Sequence, residues 1–206
     1  MKKLLKRLLL LFIVVILCAG AYFTAAGYVM YKRATQHISV KEKVESVRLE
    51  EQYTALSEIP DIYEKAVVST EDKRFYSHHG VDFVALARAL VKNVQTMEFS
   101  QGGSTITQQL AKNLFFTNEK KIERKAAELF VVYALEKSYS KDVILELYIN
   151  TVYYGDGYYC IKDAAEGYFG VAPADMSDYE CTMLAGVPNA PSVYAPSKNN
   201  QLAEKR

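Results

Sequence analysis

Gly102-Gly103-Ser104-Thr105-Ile106-Thr107-Gln108-Gln109-Leu110-Ala111-Lys112-Asn113 is the stretch from which the fold is best read. Its two glycines permit backbone conformations closed to other residues, so the loop they form can approach a ligand closely. From Thr105 to Asn113 apolar positions return at helical spacing, and Ser104 or Thr105 can cap that helix. Upstream, VDFVALARALVKNV predicts a helix from about Val81, with Asp82 in its first turn. Before it, Ile62, Ala66 and Val67 stand at helical spacing behind Pro60, and that helix should run out near Glu71, ahead of the turn at His78-His79-Gly80. Downstream, Phe116 to Glu119 reads as a loop, then a long helix from about Lys120 to Ser138. Ser140 caps a further helix through KDVILELYIN, with Asp142 in its first turn. Gly155 and Gly157 break the chain. AAEGYFG is a short helix ending at Gly170, and DYECTMLAGV is another, halted by Pro188. Strand signals are sparse: the alternation in Ser46-Val47-Arg48-Leu49-Glu50 is a weak one. The expectation is a mainly α domain.

The N-terminus is of another kind. Lys2, Lys3, Lys6 and Arg7 crowd the start, and no residue from Leu8 to Tyr31 is charged. A bilayer core needs roughly 20 apolar residues as a helix, so 8–31 reads as one transmembrane helix behind a tail at 1–7. The basic flank puts the tail in the cytoplasm and everything after Tyr31 outside. A cleaved signal peptide is the competing reading, with Ala19-Gly20-Ala21 or Ala25-Ala26-Gly27 as the cleavage site. Residues 32–57 are charged and lack Pro and Gly, so they are expected to form a stalk before a domain at 58–206.

The chain has 206 residues, enough for one compact domain and an accessory segment, and a net charge of +1. That charge gives no support for a nucleic-acid partner. Of three cysteines, Cys18 lies in the apolar run, which leaves Cys160 and Cys181 either as one bridge or as two buried thiols.

Glu71 stands at the predicted end of a helix and Glu128 on the long helix. Glycosyl chemistry uses a carboxylate to move a proton, but any helical protein has many glutamates on its surface. The basic residues Arg88, Lys92, Lys112, Lys120, Lys121, Arg124 and Lys125 could hold a pyrophosphate. They could equally form a solvated face with i,i+4 pairs such as Arg124 with Glu128. His78 and His79 lack partners elsewhere in the sequence for a zinc site, and are expected to orient the loop around Glu71. Leu114-Phe115-Phe116 is either core or an aromatic patch dipping into a membrane interface.

Glu71-Asp72-Lys73-Arg74-Phe75-Tyr76-Ser77-His78-His79-Gly80 resembles the first signature of the family 51 glycosyltransferases, the peptidoglycan polymerases. The stretch from Gly102 to Asn113 resembles their second signature, Arg124-Lys125-Ala126-Ala127-Glu128 their third, and Lys141 to Asn150 with Gly155 their fourth. Ala164-Ala165, Tyr168-Phe169-Gly170, Leu184-Ala185-Gly186 and Pro188 to Ser192 resemble the fifth. The signatures come in order over about residues 58–196, nearly all of the outer domain.

The resemblance implies a lysozyme-like fold in two lobes, the smaller near the membrane. It implies polymerisation of lipid II, with lipid II and the growing strand as partners beside the bilayer and other cell-wall synthesis proteins. Carried over by position, Glu71 is the general base. Lys112, Lys120 and Arg124 contact the pyrophosphate, Ser104 and Gln109 line the cleft, and Arg88 reaches the acceptor's phosphate. Glu128 is the second glutamate, beside the phosphates, where it could hold a divalent cation, Mg2+ or Mn2+; no organic cofactor is implied. The chain departs from the pattern at Ala127, where a basic residue occurs in some members, and at Asp163, where glycine is common. The family's domain usually continues for further helices, of which Gln201 to Arg206 looks like a start, so the chain reads as truncated or as a short member. A lysozyme-like hydrolase would not need the cationic cluster. A catalytically silent scaffold is the other alternative.

Overall fold

The structure, a computed structural model, describes residues 2–97, 102–117, 119 and 121–198. Its helices are α1 (Lys2–Ala34), α2 (Val40–Arg48), α3 (Asp61–Glu71), α4 (Phe83–Thr96), α5 (Ile106–Phe115), α6 (Ile122–Ser138), α7 (Lys141–Ile149), α8 (Ile161–Phe169), α9 (Asp178–Gly186) and the single turn α10 (Pro191–Tyr194). Among the described residues no strand occurs, and one isolated bridge pairs Gly155 with Tyr158. The mainly α expectation holds.

Local chemistry sets the helix ends. Thr105 starts α5 with a capping box: its hydroxyl accepts from Gln108 N, while the Gln108 side chain accepts from Thr105 N. Ser140 caps α7 alone, and Ser177 caps α9 with Glu180. Asp82 is the cap of α4 rather than a first-turn residue, because its carboxylate accepts from Ala85 N. Gly170 ends α8 in the left-handed region.

The alternation at 46–50 does not become a strand. Ser39 and Glu42 form a capping box that starts α2, and Val44 and Val47, three apart, are buried in the core. Five residues are too few for periodicity to separate strand from helix, whereas the cap is a specific signal. The segment expected as a stalk therefore contributes to the folded domain. Thr54 continues this docking through two hydrogen bonds with Asn150.

Around the central α7, which buries Ile144, Leu145, Leu147, Tyr148 and Ile149, α5 and α6 pack together, while α3 packs on α9. Cys160 and Cys181 are both free and buried, so the open alternative resolves to two thiols. Gly80, at φ +84°, ends the turn after α3, and a Cβ there would lie 2.4 Å from Val132 Cγ1.

α1 is one continuous helix, and Lys3–Ala34 is long and apolar enough to cross a membrane. Its last turns pack on α6, with Gly27 so close to Ala126 that a Cβ would meet the Ala126 Cβ at 2.5 Å. Tyr28 and Tyr31 lie against the Phe130 ring. α4 is the opposite of the core helices, burying only Ala89.

Candidate active site

A cleft of about 880 Å³ opens between the end of α3, the first turns of α5 and α6, and α4. Glu71, Arg88, Ser104, Gln109, Lys112 and Arg124 all line it, so the structure brings together most of the residues singled out in the sequence. Lys120 and the segment 98–101 lie outside the described residues.

Glu71 is the last residue of α3, because Asp72 leaves helical geometry immediately after it. Asp72 then ties the turn down. Its buried carboxylate accepts from His78 Nε2, at 3.0 and 2.9 Å to its two oxygens, and from the backbone N–H of Ile106 at 3.1 Å. Thr105 adds a hydrogen bond to Gly80 O at 2.6 Å. The start of α5 is thereby fastened to the turn that follows Glu71. Arg74 forks onto Asp82, the α4 cap, and this pairing holds the Asp82 carboxyl well below its usual range. His78 orients the loop as expected, while His79 is exposed.

Gln109 faces Glu71, donating from Nε2 to Glu71 Oε2 at 2.8 Å. One turn further along α5, half-buried Lys112 points into the same cleft. Arg124 is buried at the start of α6, where it pairs with Glu128 and donates from Nε to Glu119 O at 2.6 Å. Glu128 is fully buried, so the i,i+4 pair is not a solvated surface pair. Its second oxygen lies 2.9 Å from Lys125 Nζ in an ion pair that lacks hydrogen-bond alignment. Lys125 also donates to Ser104 Oγ at 3.3 Å. Arg88 and Ser104 are exposed at the rim.

Lys112, Arg124 and Lys125 thus crowd around one buried carboxylate. Burial first, then Arg124, pushes the Lys112 ammonium below the ordinary lysine range. Burial, Arg124 and Lys112 do the same to Lys125. Such a set has an excess of positive charge that an anion entering the cleft would relieve.

The same arrangement bears on a metal at Glu128. Both Glu128 oxygens already face cations, and no group of three or more His, Cys, Asp or Glu comes together among the described residues. A divalent cation there would have to displace Arg124 and Lys125 from the carboxylate. This donor set does not fit a resident metal, and no step below is routed through one.

Sequence reasoning left two residues of this site without a role of their own. Lys125 appeared within the basic cluster and the third signature but was given no role, although its place beside Arg124 was a signal. Tyr148, whose hydroxyl lies 3.3 Å from Gln109 Oε1, appeared only within the stretch that resembles the fourth signature.

A family model described as Transglycosylase matches residues 36–206. The chain belongs to the transglycosylase family. The match takes in α2, in keeping with its docking on the core. This transglycosylase is 44% identical over 155 residues to penicillin-binding protein 1A/1B of Bacillus subtilis (strain 168), covering 75% of the chain and 17% of that relative. It is 44% identical over 155 residues to penicillin-binding protein 1A of Neisseria lactamica, covering 75% of the chain and 19% of the relative. Penicillin-binding protein 1F of Bacillus subtilis (strain 168) is 37% identical over 200 residues, covering 89% and 28%. The transglycosylase spans less than a third of the length of these curated relatives. Its domain is the lysozyme-like, two-lobed glycosyltransferase fold, preceded by one long apolar helix.

Proposed function

We propose that this transglycosylase polymerises lipid II into β-1,4-linked peptidoglycan strands with release of undecaprenyl pyrophosphate. One observation carries the reading: a carboxylate, Glu71, and the crowded cations Lys112, Arg124 and Lys125 share a single cleft. A hydrolase of glycans needs the carboxylate but has no use for the cations.

The acceptor's N-acetylglucosamine 4-hydroxyl is deprotonated by Glu71 as its oxygen attacks the anomeric carbon of the growing strand's N-acetylmuramic acid. A carbon–oxygen bond forms there, the bond from that carbon to the pyrophosphate oxygen breaks, and the electron pair leaves with the pyrophosphate. Lys112, Arg124 and Lys125 stabilise the charge on that leaving group, which is often the larger catalytic contribution. Glu128 holds Arg124 and Lys125 at fixed positions. Arg88, which lines the same cleft, takes the acceptor's phosphate. The basic residues in the first turns of α1 support an N-terminus in the cytoplasm and a domain outside a bacterial cell membrane. The exposed apolar side chains of α4 offer a surface suited to the same bilayer.

The test is incubation of the detergent-solubilised chain with labelled lipid II, read as strand length on a glycan gel. Wild type should give a ladder, and Glu71→Gln should lower the rate about 10²–10⁴-fold. A ladder undiminished in Glu71→Gln would remove Glu71 as the base. Absence of a ladder from verified folded wild type would favour the silent-scaffold reading.

A further inference from the structure

Tyr148 is fully buried in the last turn of α7, among side chains that are otherwise core. Its hydroxyl reaches Gln109 Oε1 at 3.3 Å, and the other end of that amide donates to Glu71 Oε2 at 2.8 Å. We propose that Tyr148 is a positioning residue for the reaction: through Gln109 it determines which end of the amide faces Glu71, and so keeps that carboxylate ionised and ready to accept a proton. The proposal rests on the reading of Glu71 as the general base.

A glutamine amide carries a donor end and an acceptor end, and either can face a neighbour. An ionised carboxylate only accepts, so Glu71 selects Nε2. Tyr148 selects the same orientation from the other side. Burial first, then the charge of Glu71, raises its phenol well above the ordinary range, so the hydroxyl keeps its proton. That proton needs an acceptor, and Gln109 Oε1 supplies it. With the amide turned over, Oε1 would face the carboxylate lone pair to lone pair. The Tyr148 proton would then lose, in a fully buried site, the acceptor that Oε1 gives it. Both ends of the amide are therefore held by different helices, α3 and α7, while α5 carries it between them. A hydrogen bond donated to the charged form of an acid favours that form. After Glu71 has taken the proton, Nε2–H still opposes it, which helps Glu71 release the proton before the next cycle.

Tyr63 provides an internal control. It is equally buried in the same core, but its hydroxyl pairs with Tyr154 OH at 2.6 Å and not with Gln109. The other titratable groups around Glu71 are Tyr63 on its own helix, Asp72 and Lys73 just beyond it, Lys112 on α5, and Arg124 and Lys125 on α6. Arg74, Asp82, Arg88 and, on α10, Tyr194 line the same cleft, and α9, packed on α3, brings Cys181 against Tyr63. None of these changes in Tyr148→Phe.

The deciding measurement is the carboxyl 13C titration of Glu71 in the full chain, its signal identified by loss in Glu71→Gln. Tyr148→Phe should raise the Glu71 midpoint by roughly 0.3–1 pH unit, and Gln109→Leu should raise it at least as far. The acid limb of kcat/KM on lipid II should move up by the same amount. Tyr63→Phe should leave both unmoved. An unshifted midpoint in Tyr148→Phe, or an equal shift in Tyr63→Phe, overturns the proposal. The titration needs no turnover, so it also decides the matter if the chain is inactive. If Glu71→Gln keeps wild-type activity, the base assignment fails whatever the titration shows.

Discussion

α4 and α5 are neighbours in sequence and both are amphipathic, yet the fold treats them in opposite ways. In α5 the apolar side chains Ile106, Leu110, Ala111 and Leu114 are all buried, at 7% exposure or less. In α4, Phe83, Val84, Leu86, Leu90, Val91 and Val94 are each 50% or more exposed. A covered apolar face anchors a helix, and what the helix then offers to solvent is its polar face. In α5 that face carries Gln109 and Lys112 into the cleft at fixed positions. An uncovered apolar face of this extent is a surface waiting for a nonaqueous partner. With α1 long enough to cross a bilayer, the membrane is that partner in our reading. In that reading the difference separates two tasks of the domain: α5 places chemistry, and α4 meets lipid.

The comparison breaks most visibly through stability. Leu110→Ala should cost about 2–5 kcal/mol, because it leaves a cavity in a closed core. Leu90→Ala should stay within about 0.5 kcal/mol, as a surface change does. Denaturant unfolding in detergent reads both, and comparable losses would mean that α4 is covered after all.

A smaller effect sharpens the chemical side. Lys112→Met should lower kcat/KM on lipid II roughly 10–100-fold, the value of a charge-assisted contact to the leaving pyrophosphate. The Lys112 ammonium is held below the ordinary lysine range, so in the free protein it loses its proton at a lower pH than a solvated lysine. The alkaline fall of kcat/KM should therefore begin below that range. In Lys112→Arg, which stays charged, the fall should move to higher pH. A limb that does not move would assign the alkaline group elsewhere.

The smallest effect concerns lipid. Phe115 and Phe116 are half-buried and line an apolar groove with Ala26, Val29 and Met30 of α1. Leu114 alone of that run is buried, so both readings of the aromatic stretch are met in part. Phe116→Asp and Leu90→Asp should each slow turnover of vesicle-borne lipid II a few-fold while sparing a short-chain analogue. Equal losses on both substrates would sink the lipid-facing assignment.

Much of the fold was legible because its signals are local. Thr105, Ser140 and Gly170 cap helices by contacts within a few residues, and apolar spacing placed α3, α4, α5, α6, α7 and α9 close to their observed ends. The helix α2 was missed although its cap, Ser39 with Glu42, is just as local. The alternation at 46–50 drew the reading toward a strand. In the site, motif order selected Glu71, Gln109, Lys112 and Arg124, and the structure gathers them in one cleft.

What the sequence determined by itself is therefore most of the helices after α2, the apolar N-terminal span and the family, since caps, spacing and motif order are written along the chain. Tertiary structure alone decided the rest. It buried Glu128 between Arg124 and Lys125, left the face of α4 open, folded α2 into the domain and joined Tyr148 to Glu71 through Gln109. Burial and amide orientation depend on which helices meet, and the contacts that set them join residues as far apart in the chain as Glu71 and Gln109, or Gln109 and Tyr148. A periodic pattern says which face of a helix is apolar, but the packed neighbour decides whether that face is core or membrane surface, and whether a charge beside it is solvated or held.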